Sequence, residues 1–477
     1  MSVVRKIAKN TTVLLLSQVI SYILAFVYTI YTARYLGASG FGILSFALAL
    51  GSILAIFTEL GLSTLTVREV SRDKTLANKY IGNTVALKII LSIISLTLMF
   101  LVVSILNYSP EIATIVYFIT ISFVIGAFTN IFYSIFQAYE KMEYQSIGMI
   151  INSVIMFSGI ILIINYQLSI TNFALIYLIA SIISLIFGFI LCIWKFILPK
   201  MEIDLNLWKF LIIEAIPLTL SSVFLLVAFK VDTVLLQMIN GNEAVGFYNA
   251  AFSLMTALSF LPSVYVVAIF PLLSQLNVSS KEMLKISYEK SFKYLLIIGL
   301  PIAVGTTLIA GPVILLIYKS AFTPSIIALQ ILIWSIPIIF LNYIIGTAIN
   351  SINKQRQMVK STFIVMTMNI VLNLLLLPKY GYIAASFITV LTELASFIFW
   401  FHIMKVNGYD IPIHKISVKP VIASLFMGLF IALMNIFAIN LFIVILTSII
   451  VYFGVLFVLK TFSEEDIGLL KQIIGKS

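Results

Sequence analysis

The chain divides into about fourteen apolar runs of roughly 18–28 residues, each long enough to cross the ~30 Å core of a bilayer as a helix. The connections between them on one side are very short, at Asn107 to Glu111, Asn240 to Glu243 and Pro378 to Gly381. The expected fold is therefore an all-α integral membrane protein of about fourteen transmembrane helices, with no extramembrane domain. The first run, from Thr11 to Ala33, follows Arg5, Lys6 and Lys9 and lacks a small-residue cleavage pattern, so it reads as a retained helix.

Charge then orients the chain. The formal net charge is +11, yet 62% of the residues are hydrophobic and the mean hydropathy is +1.16, which leaves no place for a soluble basic, nucleic-acid-binding domain. Of the 29 Lys and Arg residues, 25 fall in every second gap between apolar runs. The two most basic gaps hold Arg68, Arg72, Lys74, Lys79 and Lys88, and Lys281, Lys285, Lys290 and Lys293. The opposite side holds Arg34, Lys319 and Lys379. The positive-inside rule then places both termini in the cytoplasm of a multi-pass cell-membrane protein, with the basic loops against the anionic inner leaflet. A single cysteine, Cys192, excludes an intrachain disulfide. His402 and His414 have no neighbours at metal-ligand spacing, so neither a metal site nor a histidine-based catalytic site is expected.

The chain also reads as a duplication. Gly37 and Gly42 of the first outer hairpin recur as Gly241 and Gly246 of the hairpin after the seventh run, both at an offset of 204 residues. The two most basic gaps also occupy equivalent places in the two halves. This predicts an amino-terminal lobe over 1–200 (helices one to six), a carboxy-terminal lobe over 201–405 (helices seven to twelve), and an appended helix pair over 406–477. That last segment ends in a short amphipathic helix opened by Ser463 and Asp466 as a capping box. Repeated bundles facing a central cavity are a transporter architecture.

Charges inside the apolar runs are few, and each costs about 2.5–3.5 kcal/mol to insert unless it finds a partner or water. Lys230 and Asp232 lie in the seventh run and Glu393 in the twelfth. Two residues apart on a helix, Lys230 and Asp232 point about 200° from each other, so they do not make a same-helix pair. Lys230, with Arg34 at the outer end of the first run, is the candidate for binding an anionic group. Asp232 and Glu393 are the candidates for binding a proton or sodium ion. The bland reading is an interhelical pair, for example Lys230 with Glu393. Glu59 and Glu214 lie near the inner surface and are expected to be solvated. The amides Gln18, Asn130, Asn152, Asn342, Asn369 and Asn373 offer sugar hydroxyls a partner, but are expected chiefly to bond across helices.

Several stretches resemble one family. They are Tyr31-Thr32-Ala33-Arg34-Tyr35-Leu36-Gly37 with Gly40-Phe41-Gly42, Glu59-Leu60-Gly61-Leu62 with Arg68-Glu69, and Asp232-Thr233-Val234-Leu235 with Gly246-Phe247-Tyr248-Asn249. Asn373-Leu374-Leu375-Leu376-Leu377-Pro378-Lys379-Tyr380-Gly381 completes the set. In this order, over nearly the whole chain, they are similar to the polysaccharide biosynthesis (oligosaccharide flippase) family of the multidrug/oligosaccharidyl-lipid/polysaccharide exporter superfamily. The resemblance implies two pseudo-symmetric six-helix lobes that rock between inward- and outward-open states. It implies a polyprenyl-pyrophosphate-linked oligosaccharide as cargo, among membrane lipids, with glycan polymerases or glycosyltransferases as further partners. Neither enzymatic activity nor a cofactor is implied, beyond coupling to a proton or sodium gradient. The alternatives are a cation-coupled multidrug antiporter, which needs a cavity dominated by carboxylates such as Asp232 and Glu393, and a membrane enzyme, which needs a larger outer loop than this chain has.

Overall fold

The computed structural model describes residues 3–200, 202–437 and 439–462, and these are almost entirely helical, with no strand among them. The helices are α1 (Val3–Glu59), α2 (Leu62–Arg72), α3 (Ala77–Ile105), α4 (Pro110–Ala138), α5 (Met142–Asn165), α6 (Ile170–Lys195) and α7 (Leu205–Leu258). They continue as α8 (Phe260–Ser279), α9 (Lys281–Tyr318), α10 (Ser325–Leu332), α11 (Ser335–Ser351), α12 (Gln355–Val406), α13 (Ile413–Ile436) and α14 (Leu441–Val458). The expected terminal amphipathic helix from Ser463 lies outside the described residues.

Among the described residues, eleven helical segments are long and apolar enough to cross a membrane. Three of them run for 61, 61 and 52 residues, about twice what one crossing of ~20 residues needs. Each contains a glycine in a conformation closed to side chains with a Cβ: Gly37 (φ 67°, ψ −177°), Gly241 (φ 82°, ψ −179°) and Gly381 (φ 54°, ψ −137°). Fourteen crossings result if each of these three segments turns back at its glycine. The near-identical geometry at Gly37 and Gly241 matches the duplication suggested by the 204-residue offset.

The duplicated hairpins also touch reciprocally. A Cβ on Gly42 would overlap the carbonyl of Asn242, and one on Gly246 would overlap the carbonyl of Ala38. Ala38 and Asn242 are themselves 204 residues apart, so one contact maps onto the other, as in a two-fold interface. Only glycine permits this approach of two backbones.

The chain forms two compact units. The first runs to Asn249 and includes Ile370–Tyr382; the second comprises Ala250–Asn369 and the chain from Ile383. The boundaries expected from repeat order, at 200 and 405, do not coincide with these, because the first part of α7 and a short stretch of α12 pack with the first six helices. In the first unit α1 lies against α4 and α5, and α4 against α6. Leu62, Leu65, Tyr80, Ile131, Phe136 and Cys192 form part of its core. Phe196 is ringed there by Phe136, Tyr139 and Tyr144 at 5.2–5.8 Å, a geometry that favours aromatic pairs. In the second unit α9 packs on α11 and α13. Tyr452 of α14 donates to the carbonyl of Ile297 at 2.8 Å, which satisfies its hydroxyl inside an apolar cluster of Ile309, Met427, Ile431 and Leu456.

Candidate functional site

The first unit holds an open cavity of about 750 Å³ lined by α1, α4, α5, α6 and α7. Of its 27 lining residues, 15 carry a hydroxyl, amide or carboxylate. Many of the hydroxyls are occupied: Ser52, Ser122, Thr129, Ser153, Ser184 and Thr219 each donate to a carbonyl three or four residues back in their own helix. This is how serine and threonine tolerate a helix in lipid. Other groups remain open to it. Asn130 and Ser222 are exposed and make no side-chain hydrogen bond among the described residues. Asn152 donates to Ser184 at 3.1 Å, bridging α5 and α6 as expected, and keeps its carbonyl oxygen for the cavity. Tyr28 and Tyr177 hydrogen-bond to each other.

Glu59 is the one carboxylate in this lining, and it is not simply solvated as its sequence position suggested. It ends α1, where the negative pole of the helix disfavours an acid. Lys88 supplies the compensation. Its ammonium donates to Glu59 Oε2 at 2.7 Å, to the carbonyl of Ala127 at 2.7 Å and to Ser63 Oγ at 3.3 Å. All three N–H groups are used, and the lysine side chain is 0% exposed while Glu59 is 33% exposed. By sequence position Lys88 groups with the basic loop residues before it. The signal available was that Lys88 already lies inside the apolar run that begins near residue 84. In the same unit Arg68 pairs with Glu214 at 3.3 Å, and Lys79 with Asp204 at 2.8 Å.

The structure separates Lys230 from Asp232, as their spacing demanded. Asp232 is buried and accepts from Asn373 Nδ2 at 2.6 Å and from Tyr248 Oη at 3.2 Å. Lys230 is half-buried, and no carboxylate pairs with it among the described residues; its ammonium lies 6.0 Å from the ring of its neighbour Phe229. Thr219, Ser222, Val223 and Leu226 line the cavity at i, i+3, i+4 and i+7 of α7. Lys230 is the next position on that stripe, about 6 Å farther along the helix axis. Arg34 is exposed at the end of the first span, three residues before the Gly37 turn. In the second unit Glu393 accepts from Asn342 Nδ2 at 2.8 Å. No group of three His, Cys, Asp or Glu residues suited to a metal ion occurs among the described residues.

The profile of the polysaccharide biosynthesis protein family matches residues 7–277, more than half of the chain. The chain belongs to that family. The MatE profile matches residues 217–375. Over 423 residues the chain is 24% identical to an uncharacterised membrane protein of Methanocaldococcus jannaschii, covering 85% of this chain and all of that one. It is 23% identical over 406 residues to the capsular polysaccharide biosynthesis protein CapF of Staphylococcus aureus, covering 83% and 99%. Among solved structures, the lipid II flippase MurJ in an inward closed conformation superimposes with a TM-score of 0.76 at 18% identity, covering 92% of this chain and 97% of that one. The family member is thus a membrane protein with the fold of a transporter of the exporter superfamily.

Proposed function

We propose that this protein is a flippase that carries a polyprenyl-pyrophosphate-linked oligosaccharide from the cytoplasmic to the outer leaflet by alternating access, for polysaccharide or glycoprotein assembly. Both termini are cytoplasmic in this reading. The observation that carries it, beside family membership, is Lys230: a lysine in an apolar helix that no carboxylate neutralises. An ammonium at such a depth is costly unless an anion visits it, and a pyrophosphate is such an anion. Arg34, exposed at the outer end of the first span, is a second cation along the route. Asp232, held by Asn373 and Tyr248, and Glu393, held by Asn342, are the groups that would take up a proton or sodium ion to couple transport to a gradient.

Full-length protein in vesicles is expected to deliver a polyprenyl-pyrophosphate-linked oligosaccharide to the opposite leaflet, read by lectin access. An imposed proton or sodium gradient should alter the rate, and Asp232→Asn should remove that response. An insensitive wild type removes the coupling. The second reading, a cation-coupled multidrug antiporter, is favoured by the MatE profile match across Lys230 and Asp232. Export of ethidium without movement of the lipid-linked oligosaccharide would put it first.

A further inference from the structure

The first unit's cavity has a chemistry that the pyrophosphate does not use, and we propose that it is the site for the glycan head group, taking neutral hexose-type sugars through Glu59, Asn130 and Asn152. The inference deepens the flippase reading and rests on it. Three observations carry it.

The cavity carries polar groups without an unbalanced charge. Glu59 is its one carboxylate, and Lys88 at 2.7 Å balances it from behind. An organic cation gains little from a carboxylate already neutralised, and an anion meets no free ammonium in the lining. A neutral polyol needs neither.

The open groups suit vicinal hydroxyls. Lys88 binds Oε2 of Glu59 and so fixes the carboxylate while Oε1 stays available as an acceptor. Asn130 has both a donor and an acceptor unspent, and Asn152 retains its acceptor. Between them, Phe123, Met149, Met156 and Leu226 provide apolar wall for the C–H faces of a pyranose ring. A few polar groups among apolar surface are the usual makeup of a site that reads an amphiphilic small molecule.

The position is right for a chain of sugars attached to a phosphate. Lys230 continues the α7 stripe formed by Thr219, Ser222, Val223 and Leu226, about 6 Å beyond Leu226. A pyrophosphate at Lys230 would bring the first sugars to the cavity.

The test compares two probes on the purified full-length protein in nanodiscs: polyprenyl pyrophosphate alone, and the same lipid carrying N,N′-diacetylchitobiose. Wild type is expected to bind the sugar-bearing probe at least tenfold more tightly than the bare one. Glu59→Gln leaves buried Lys88 without its counter-charge and risks the fold, so two milder variants carry the experiment. Asn130→Ala removes an exposed amide that makes no side-chain hydrogen bond among the described residues. Gly126→Leu projects into the cavity from a position where an added Cβ meets no atom within 4 Å. Each should shrink the sugar advantage severalfold and leave the bare probe's affinity unchanged. Equal binding of the two probes by wild type, or variants that weaken both probes alike, overturns the glycan site while leaving the flippase reading standing. Failure of wild type to bind either probe overturns both.

Discussion

Lys88 and Lys230 are lysines within apolar helices of the same compact unit, and their surroundings differ completely. Lys88 is saturated: a carboxylate, a backbone carbonyl and a serine hydroxyl take its three N–H groups, and no part of it is exposed. Lys230 is half-buried and has no carboxylate among the described residues. The first arrangement answers the cost of a charge in lipid inside the protein. The second leaves that cost unanswered by any carboxylate among the described residues. A cation's depth in the membrane therefore says little about its use until its partners are known.

The largest effect separating the two is on stability. Lys88→Met should cost about 3 kcal/mol, toward the lower end for a broken buried pair because Glu59 is partly solvated. Lys230→Met should stay within about 1 kcal/mol of wild type, or above it, since it removes an unneutralised charge from an apolar helix. Adding Glu59→Gln to Lys88→Met should restore roughly half of the loss, because the two residues act as one unit. Unfolding in mixed micelles measures all three, and equal losses for the two lysine variants would erase the distinction.

The same contrast between a filled and an open position exists in the backbone. Gly42→Ala forces apart two backbones in contact and should cost about 1–3 kcal/mol. Gly126→Ala meets open space and should gain about 0.5–1 kcal/mol from helix propensity. A neutral Gly42→Ala would mean that the hairpins separate freely.

The smallest effect concerns the Lys79–Asp204 pair. The Lys79 ammonium, helped by the first amides of α7, holds the Asp204 carboxyl below its ordinary value. Its contribution is complete above the unfolded carboxylate value of about 3.9 and is lost as pH falls through the lower folded value. The Tm gap between wild type and Asp204→Asn should therefore be present at pH 7 and close under strong acid. A gap unchanged by acid would show that charge plays no part there.

Much of this was legible in the residues themselves. Helical runs of membrane length follow from apolar composition, and the repeated hairpins from Gly37 and Gly241, because both features are local. Lys230 and Asp232 stood out as charges without a place in lipid. The Lys88–Glu59 pair did not, because its partners are 29 residues apart and each lies at the edge of a run, where a solvated charge reads the same. The cavity was hidden for a related reason. Its lining comes one or two residues per turn from five helices, and each serine or threonine alone looks like ordinary helix–helix packing. Asn152 and Asn342 did bond across helices as expected, whereas Asn130 remains open, and nothing in its local sequence distinguishes it from them.

The account turns on Lys230 being an anion site and not a structural charge. Translocation of a polyprenyl-pyrophosphate-linked oligosaccharide by Lys230→Ala and Lys230→Arg, in vesicles matched for folded protein, tests this most directly. The prediction is at least a tenfold loss for alanine and substantial activity for arginine, which retains the charge. Alanine activity equal to wild type would contradict it.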